Sequence, residues 1–451
     1  MASATALVVS NMVGTGIFTS TGYLAAQLGS AQLILWVWVA GAICALAGAF
    51  CYAELGVNFP SSGGEYVFLT EAFGPIWGFM TGWISFFAGF SAPIAAAALA
   101  FSDYLGHFNG WFKQASTGGD WEFHAGGAQV LACSLIAIFT VLNCLGVKRT
   151  ARVQNSLTAA KVFVILAFLV AGFAFGHGSA SNFSSHAARS MGTPLFAQFF
   201  VSLIILYTAY SGWNAATYVA EEVKHPARTL PLSLAFGTML VAVLFVLLNV
   251  LFVYAMPLSE MAPMVGGKQE PVKAIGEAAA SHLFGPAIAG AFSAAMALSL
   301  MATVNAMVTV GPRVYYAMAR NGAFFASAAK VAQRWHTPVI AIVCQGACAM
   351  LMTFTPFIKL LFYIGMTLNF SAAMSVASLL IFRKRPGWRK VKAVSFLYPL
   401  VPAFFILVGI STTLFGLLDQ PFVCLISIAT VATGALVYQW RLRKTSVSRS
   451  T

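Results

Sequence analysis

The chain has 451 residues, of which 59% are hydrophobic and 8% are charged, and Lys and Arg outnumber Asp and Glu by 25 to 12. A soluble domain usually carries about 25% charged residues, so this chain has too little polar surface to cover a soluble particle of its size. Disorder is excluded as well, because a disordered chain needs low hydrophobicity. The composition indicates a protein that folds in lipid.

Long apolar runs recur along the whole chain between charged or Gly/Pro-rich breaks. A membrane-spanning helix uses about 20 apolar residues, and each run is close to that length. We predict an all-α integral membrane protein with one domain over residues 1–440 and a basic cytoplasmic tail over 441–451. The twelve predicted spans are 3–27, 31–53, 76–102, 127–146, 155–176, 195–219, 232–255, 285–311, 338–355, 359–382, 396–416 and 421–440.

The distribution of positive charge predicts the orientation of these spans. With a cytoplasmic N-terminus, 19 Lys and Arg residues fall on the inner side and 5 on the outer side. Cytoplasmic loops collect Lys and Arg, so we expect both termini inside and a location in the cytoplasmic membrane. The inner set is Lys148, Arg149, Arg152, Lys224, Arg228, Arg313, Arg320, Lys330, Arg334, Arg383, Lys384, Arg385, Arg389, Lys390, Lys392, Arg441, Arg443, Lys444 and Arg449, and the outer set is Lys113, Arg189, Lys268, Lys273 and Lys359.

Two spans carry glycines halfway along their apolar runs. Residues 12–18 of the first read MVGTGIF, and residues 210–214 of the sixth read YSGWN. Non-helical backbone at membrane depth persists only where it lines a cavity or is buried in protein, and it exposes N–H and C=O groups there. One such site alone would rather indicate close helix packing. Spans one and six are corresponding members of two five-span halves, and paired interruptions of this kind favour a transport site built from inverted repeats.

Three blocks of sequence resemble the amino acid–polyamine–organocation superfamily, and within it the amino acid permeases related to the L-type exchangers. They are residues 11–18 (NMVGTGIF), residues 60–66 (PSSGGEY), and residues 211–214 (SGWN) followed by 221–226 (EEVKHP) and 230–231 (LP). The resemblance implies a twelve-helix bundle with a five-plus-five inverted repeat and with helices one and six discontinuous. Its half-repeats would be about 3–176 and 195–382, with two extra helices over 396–440.

In the family, the substrate amino acid lies between the unwound centres of helices one and six. The resemblance therefore implies substrate-binding residues on both interruptions. They are Val13, Gly14, Thr15, Gly16, Ile17, Tyr207, Thr208, Tyr210, Ser211, Gly212, Trp213 and Asn214.

Lys161 is the only ionisable residue well inside a predicted span. Its long stem would let the ammonium extend to the cytoplasmic interface, and the residues alone leave this open beside a functional role. The resemblance implies that this lysine takes the place of a sodium ion and tethers helix five to helices one and eight. Thr303 would then face the lysine, with Ser299 as a second candidate.

Thr208 departs from the family pattern, because many relatives have an aromatic residue here that closes over the substrate. A smaller residue would admit a bulkier substrate, or Tyr207 or Phe199 would supply the ring. We expect Trp213 beside the interruption and Asn214 facing the cavity, since an unpaired amide in lipid is costly. For the same reason Asn369 in span ten is expected to face the cavity, although a hydrogen bond between helices explains its position equally well.

The acidic residues of the inner loops are expected to lie on solvated surface, and some of them to pair with Lys148, Arg149 or Lys224. These acids are Glu54, Glu65, Glu71, Glu221 and Glu222.

The function that fits these features is secondary transport of amino acids by alternating access, without sodium. No acidic or arginine side chain is predicted at mid-membrane, so neutral amino acids fit best, while proton symport and exchange both stay open. A membrane-integral sensor or enzyme is the alternative. The sequence shows no added signalling domain and no intramembrane cluster of His, Asp or Glu, so we expect no enzyme, metal site or cofactor. The expected partners are a small amino acid, the lipid bilayer and candidate coupling protons, and not nucleic acid.

Overall fold

A computed structural model describes residues 1–60, 63–114, 125–189, 192–265, 268–269, 274–320, 322–332, 334–335 and 337–442. Of the features predicted above, Ser61 and Ser62, most of the outer loop around 115–124, and the basic tail from residue 443 lie outside these ranges.

The described residues form an almost wholly helical protein. The α-helices are α1 (Ala2–Met12), α2 (Gly16–Leu28), α3 (Ala31–Asn58), α4 (Glu65–Phe73), α5 (Pro75–Ile84), α6 (Ala92–Leu105), α7 (Gly127–Cys144), α8 (Val147–Phe175), α9 (Leu195–Tyr210), α10 (Pro226–Ala255), α11 (Leu258–Met261), α12 (Ile275–Phe284), α13 (Pro286–Arg320), α14 (Val339–Met352), α15 (Phe357–Phe382), α16 (Lys392–Phe396), α17 (Leu400–Asp419) and α18 (Pro421–Val437). Short 3₁₀ helices cover Gly110–Phe112, Ala180–Ser184, Ala215–Glu222 and Ala326–Ala329, and π-helical turns cover Ser85–Ser91 and Tyr438–Leu442. The strands β1 (Met264–Val265) and β2 (Lys268–Gln269) pair antiparallel, with Met264 opposite Gln269.

Within the described residues, eight helical segments are long and apolar enough to cross a membrane by length and composition. They are Ala31–Asn58, Pro75–Leu105, Gly127–Cys144, Pro226–Ala255, Pro286–Arg320, Phe357–Phe382, Leu400–Asp419 and Pro421–Trp440. Three shorter apolar helices cover Ala159–Phe175, Leu195–Tyr210 and Val339–Met352, and the first predicted span is divided between α1 and α2. The protein is a multi-pass helical membrane bundle, whereas the count of twelve spans and the inverted repeat stay predictions.

The third predicted span is helical but not uniformly α-helical. A π-helical segment, Ser85–Ser91, separates α5 from α6. Pro93 follows directly in the first turn of α6 and has no N–H for the carbonyl of Gly89 one α-helical turn earlier, which favours a local change of hydrogen bonding. The apolar sequence of this segment indicates only a helix, so the π turn was not predicted.

The bundle packs small residues where helices approach closely and leaves large apolar residues on its outside. α3 lies along α10, and α6 lies along α13. Without a hydrophobic driving force in lipid, helices associate through such close packing. Phe163, Phe196 and Leu418 are exposed on the periphery, as expected for side chains that face acyl chains.

Candidate functional site

The first interruption separates α1 from α2. α1 ends at Met12, the Gly14 N–H donates to the Met12 carbonyl over 2.8 Å, and α2 starts at Gly16. No described backbone carbonyl accepts from the N–H groups of Thr15, Gly16 or Ile17. The first turn of a helix leaves such donors free, and its positive dipole end attracts an anion. This turn can therefore receive a carboxylate.

The two glycines of the first interruption have different surroundings. A Cβ placed on Gly14 would have Met12 O at 3.9 Å and Thr303 Cγ2 at 4.0 Å, which is ordinary contact distance. A Cβ on Gly16 would lie 2.3 Å from the Cα of Ala209. Gly16 therefore packs directly against α9, whereas a Cβ on Gly14 would be accommodated without a clash.

This difference predicts different outcomes for the same substitution. Gly14→Val is expected to leave the protein folded and to weaken amino acid binding by about tenfold or more, because the side chain fills the space beside the free N–H groups. Gly16→Val is expected to lower thermal stability, because α9 must move away. Thermal unfolding and radiolabelled amino acid binding in detergent measure both effects, with the exposed Gly110→Val as the control. Normal binding by the Gly14 variant would contradict a substrate site at this position.

The second interruption follows α9. The Ser211 N–H and hydroxyl both donate to the Thr208 carbonyl, over 3.2 and 2.8 Å. Gly212 has a φ of +100°, and a Cβ there would lie 2.8 Å from the carbonyl carbon of Asn11. Glycine is needed here both for the left-handed conformation and for the approach to α1. The contacts of Gly212 with Asn11 and of Gly16 with Ala209 place the two interruptions side by side.

Lys161 lies inside the bundle against the first interruption. Its Nζ donates to the Val13 carbonyl over 2.5 Å and to Thr303 Oγ1 over 3.2 Å, and the residue is 2% exposed. The Thr303 hydroxyl donates in turn to the Ser299 carbonyl over 3.3 Å. Thus α8, α1 and α13 meet at one ammonium, and Ser299 takes part through its carbonyl. The ammonium does not extend towards a membrane interface.

The aromatic side chains of α9 and of its exit lie towards α3, α15 and α17 rather than towards Gly14. The hydroxyl of Tyr210 donates to Trp38 O over 3.0 Å, and that of Tyr207 to Leu368 O over 3.4 Å. The Trp213 ring meets the Tyr52 ring edge-on, with centroids 4.7 Å apart. A cavity lies between α3, α9, α15 and α17, and its lining includes Gly41, Cys44, Tyr207, Tyr210, Trp213 and Asn369.

Thr208 bonds α9 to α15, since its hydroxyl donates to Leu361 O over 2.9 Å. Phe199 packs near Phe200, with ring centroids 6.4 Å apart. Asn369 Nδ2 donates to Gly409 O over 2.9 Å, which fits the hydrogen bond between helices. The identity of the outer gate and the substrate contacts of Tyr207, Thr208, Tyr210 and Trp213 stay predictions.

The interpretation of the inner-loop acids as solvated surface was wrong for two of them. Glu54 is fully buried and forms two short hydrogen bonds to the Arg383 guanidinium, of 2.6 and 2.5 Å. Glu65 is only 7% exposed. Glu71 is exposed, as expected, and lies 3.9 Å from Arg385. The side chains of Glu221, Glu222, Lys148 and Arg149 lie outside the described part of the protein.

Glu65 is joined to the second interruption, which the sequence did not indicate. Its Oε1 accepts from the Tyr52 hydroxyl over 2.6 Å and from Asn214 Nδ2 over 3.0 Å, and its Oε2 accepts from the Ser371 hydroxyl over 3.4 Å. Asn214 therefore binds a carboxylate, in addition to bordering the interruption. Burial raises the pKa of the Glu65 carboxyl, and the hydrogen bonds from its neighbours oppose this rise. The one available signal was the place of Glu65 in the PSSGGEY block.

Two adjacent helix interruptions inside an apolar bundle, with an ammonium on one of them, define a membrane transporter of the broken-helix class. The family profile described as "Amino acid permease" matches residues 1–436, so the chain belongs to the amino acid permease family. This confirms the resemblance found in the sequence, and the family is one of transporters and not of enzymes.

Individual relatives match over nearly the whole chain. A large neutral amino acids transporter small subunit 2 from Mus musculus is 29% identical over 454 residues, covering 97% of this chain and 80% of the relative. An Asc-type amino acid transporter 1 from the same species is 27% identical and covers 100% and 83% of the two chains. A b(0,+)-type amino acid transporter 1, also from mouse, is 28% identical and covers 92% and 81%.

Proposed function

We propose that this protein is a sodium-independent secondary transporter that moves neutral amino acids across the cytoplasmic membrane by alternating access. The observation that carries the proposal is the position of Lys161, whose ammonium donates to Val13 O at the first interruption and to Thr303 on α13. A monovalent cation bound between these two oxygens would link the end of α1 to α13 in the same way. A fixed ammonium removes the need for that ion.

The substrate would lie between the two interruptions. The free N–H groups of residues 15–17 would bind its carboxylate. The carbonyls at the C-terminal end of α9 would accept from its ammonium, since the last carbonyls of a helix lack intrahelical donors. This arrangement would bind the carboxylate and ammonium that all amino acids share. Selectivity would then depend on the space around the side chain of the substrate.

Neutral side chains suit the charges around this space. Glu65 hydrogen-bonds Asn214 at the second interruption, and Tyr52, Asn214 and Ser371 already occupy its oxygens. To pair with Glu65, a cationic side chain of the substrate would have to displace these hydrogen-bond donors. One of the relatives above is described by its name as a transporter of large neutral amino acids, which agrees with this choice.

The proposal includes the organisation inferred from the sequence. The chain would have one transport domain over 1–440, two inverted half-repeats at about 3–176 and 195–382, and both termini in the cytoplasm. The excess of Lys and Arg on one side supports the orientation. The matching positions of the interruptions in spans one and six support the repeat.

Uptake into proteoliposomes tests the transport function and its independence of sodium. We expect labelled neutral amino acids to enter at equal rates in sodium and choline media, and faster when the vesicles contain unlabelled substrate. Acidic and basic amino acids should enter little above the level of protein-free vesicles. A requirement for sodium would contradict the role of Lys161, and no uptake of any amino acid would contradict the transport function itself.

A further inference from the structure

Two buried glutamates lie near the same end of α3, and their partners differ in kind. Glu54 binds the Arg383 guanidinium, the Trp388 indole N–H over 2.8 Å and the Val391 N–H over 3.1 Å. Its charge is compensated by a permanent cation. Among the described Lys, Arg and His residues, none forms an ion pair with Glu65. Glu65 is therefore a buried carboxyl whose described hydrogen-bond partners are all neutral.

The groups around Glu65 can serve either protonation state of its carboxyl. A hydroxyl can donate to a carboxylate or turn and accept from a carboxylic acid, and an amide side chain offers both a donor and an acceptor. Tyr52 and Ser371 are hydroxyls, and Asn214 is an amide. Arg383 can only donate, so Glu54 has no such freedom.

The titratable groups that face Glu65 from the neighbouring elements are three phenols. They are Tyr52 on α3, Tyr207 on α9 and Tyr218 on the 3₁₀ helix after the interruption. From α15, the Ser371 hydroxyl donates to Glu65, and Ser375 hydrogen-bonds Tyr52. An unperturbed phenol has a pKa of about 10 and stays neutral at working pH. Glu65 is thus the member of this cluster whose charge changes, and its burial moves the change towards neutral pH.

The hydrogen bonds of Glu65 reach the second interruption, which is a segment that would move during the transport cycle. Asn214 follows Gly212 by two residues, and its amide bonds both Glu65 and, over 3.2 Å, the Tyr218 hydroxyl. Hydrogen bonds to an ionised carboxylate are about twice as strong as those between neutral groups. Protonation would therefore weaken the hold of α4 on the second interruption, and loss of the proton would restore it.

We propose that Glu65 is the proton-binding site through which transport is coupled to a proton gradient, with one proton carried in the direction of the amino acid. This rests on the proposed transport function. The carboxylate takes a proton when the site opens to the more acidic side, becomes a carboxylic acid hydrogen-bonded to a neighbouring hydroxyl, and releases the proton on the other side. Asn214, which is half-buried and lies two residues after Gly212, hydrogen-bonds Glu65 directly and so joins the carboxyl to the second interruption.

The test compares accumulation with exchange in proteoliposomes under an inward proton gradient. Coupling to one proton would let the wild type accumulate a neutral amino acid by up to about tenfold for each pH unit of gradient. Glu65→Gln is expected to lose this accumulation and to keep the exchange of labelled for unlabelled substrate. Glu71→Gln is the matched control, because it removes an exposed carboxylate from the same helix and should behave as the wild type.

A second variant keeps the carboxyl and changes its environment. Tyr52→Phe removes one donor from the ionised form, so the midpoint of the pH dependence of uptake should move to higher pH by roughly one unit. The position of this midpoint tests Glu65 as the proton-binding site even if Glu65→Gln does not fold.

The outcomes separate this inference from the transport function. Accumulation by Glu65→Gln at the level of the wild type would overturn the assignment of the proton site. So would a wild type that exchanges substrate but that an inward proton gradient does not drive to accumulate it, or a midpoint that Tyr52→Phe leaves unchanged. Failure of the wild type to exchange any amino acid would instead contradict the transport function on which the inference rests.

Discussion

Lys161→Ala is expected to reduce turnover strongly while the protein still reaches the membrane. The substitution leaves Val13 O and Thr303 Oγ1 without the donor that joins them. A buried acceptor without a partner costs about 1–3 kcal/mol. Part of this cost would fall on the first interruption, so the equilibrium between open and closed forms should shift. The initial rate of amino acid exchange, normalised to reconstituted protein, should fall by roughly tenfold to a hundredfold.

Two further variants make this result specific. Lys330→Ala removes an exposed lysine from the proposed cytoplasmic side and should transport normally. Lys161→Gln keeps a polar side chain and loses the charge, and we expect it to be nearly as impaired as the alanine variant. Unchanged kinetics in Lys161→Gln would show that the ammonium is dispensable and would contradict the tether.

Arg383→Ala is expected to destabilise the folded protein by about 3–5 kcal/mol, because it leaves the Glu54 carboxylate buried and without a cation. Glu54 is 0% exposed, and α3, α15 and the segment after α15 all meet at its two oxygens. The loss should appear as a lower midpoint of thermal unfolding in detergent and as a smaller yield of monodisperse protein.

Arg385→Ala is the control for this effect. Arg385 lies two residues from Arg383, but its contact with Glu71 is exposed and 3.9 Å long. An exposed pair of this kind contributes about 0–1 kcal/mol, so stability should hardly change. A double variant, Glu54→Leu with Arg383→Met, should recover part of the loss, because an apolar pair avoids the isolated charge. Equal stability of Arg383→Ala and the wild type would disprove the importance of the buried pair.

The sequence by itself determined the features that depend on local composition. The excess of apolar residues indicated a membrane protein, and the apolar runs indicated where its helices lie. Gly14 and Gly212 marked the interruptions, because the backbone conformation there depends on the residue itself and its neighbours in the chain. Lys161 stood out as a single charge in a long apolar run, although the residues alone left open whether its ammonium reaches the cytoplasmic interface.

Only the tertiary structure decided which residues contact one another across the bundle. The pattern GxG does not distinguish Gly14, where a Cβ would fit without a clash, from Gly16, where a Cβ would lie 2.3 Å from the Cα of Ala209. Glu54 and Glu65 resemble solvated acids in the sequence, yet both are buried, and Arg383 lies 329 residues from Glu54 in the chain. Burial and pairing of a side chain depend on the helices that pack over it. That packing is set by the fold as a whole and not by the neighbouring sequence.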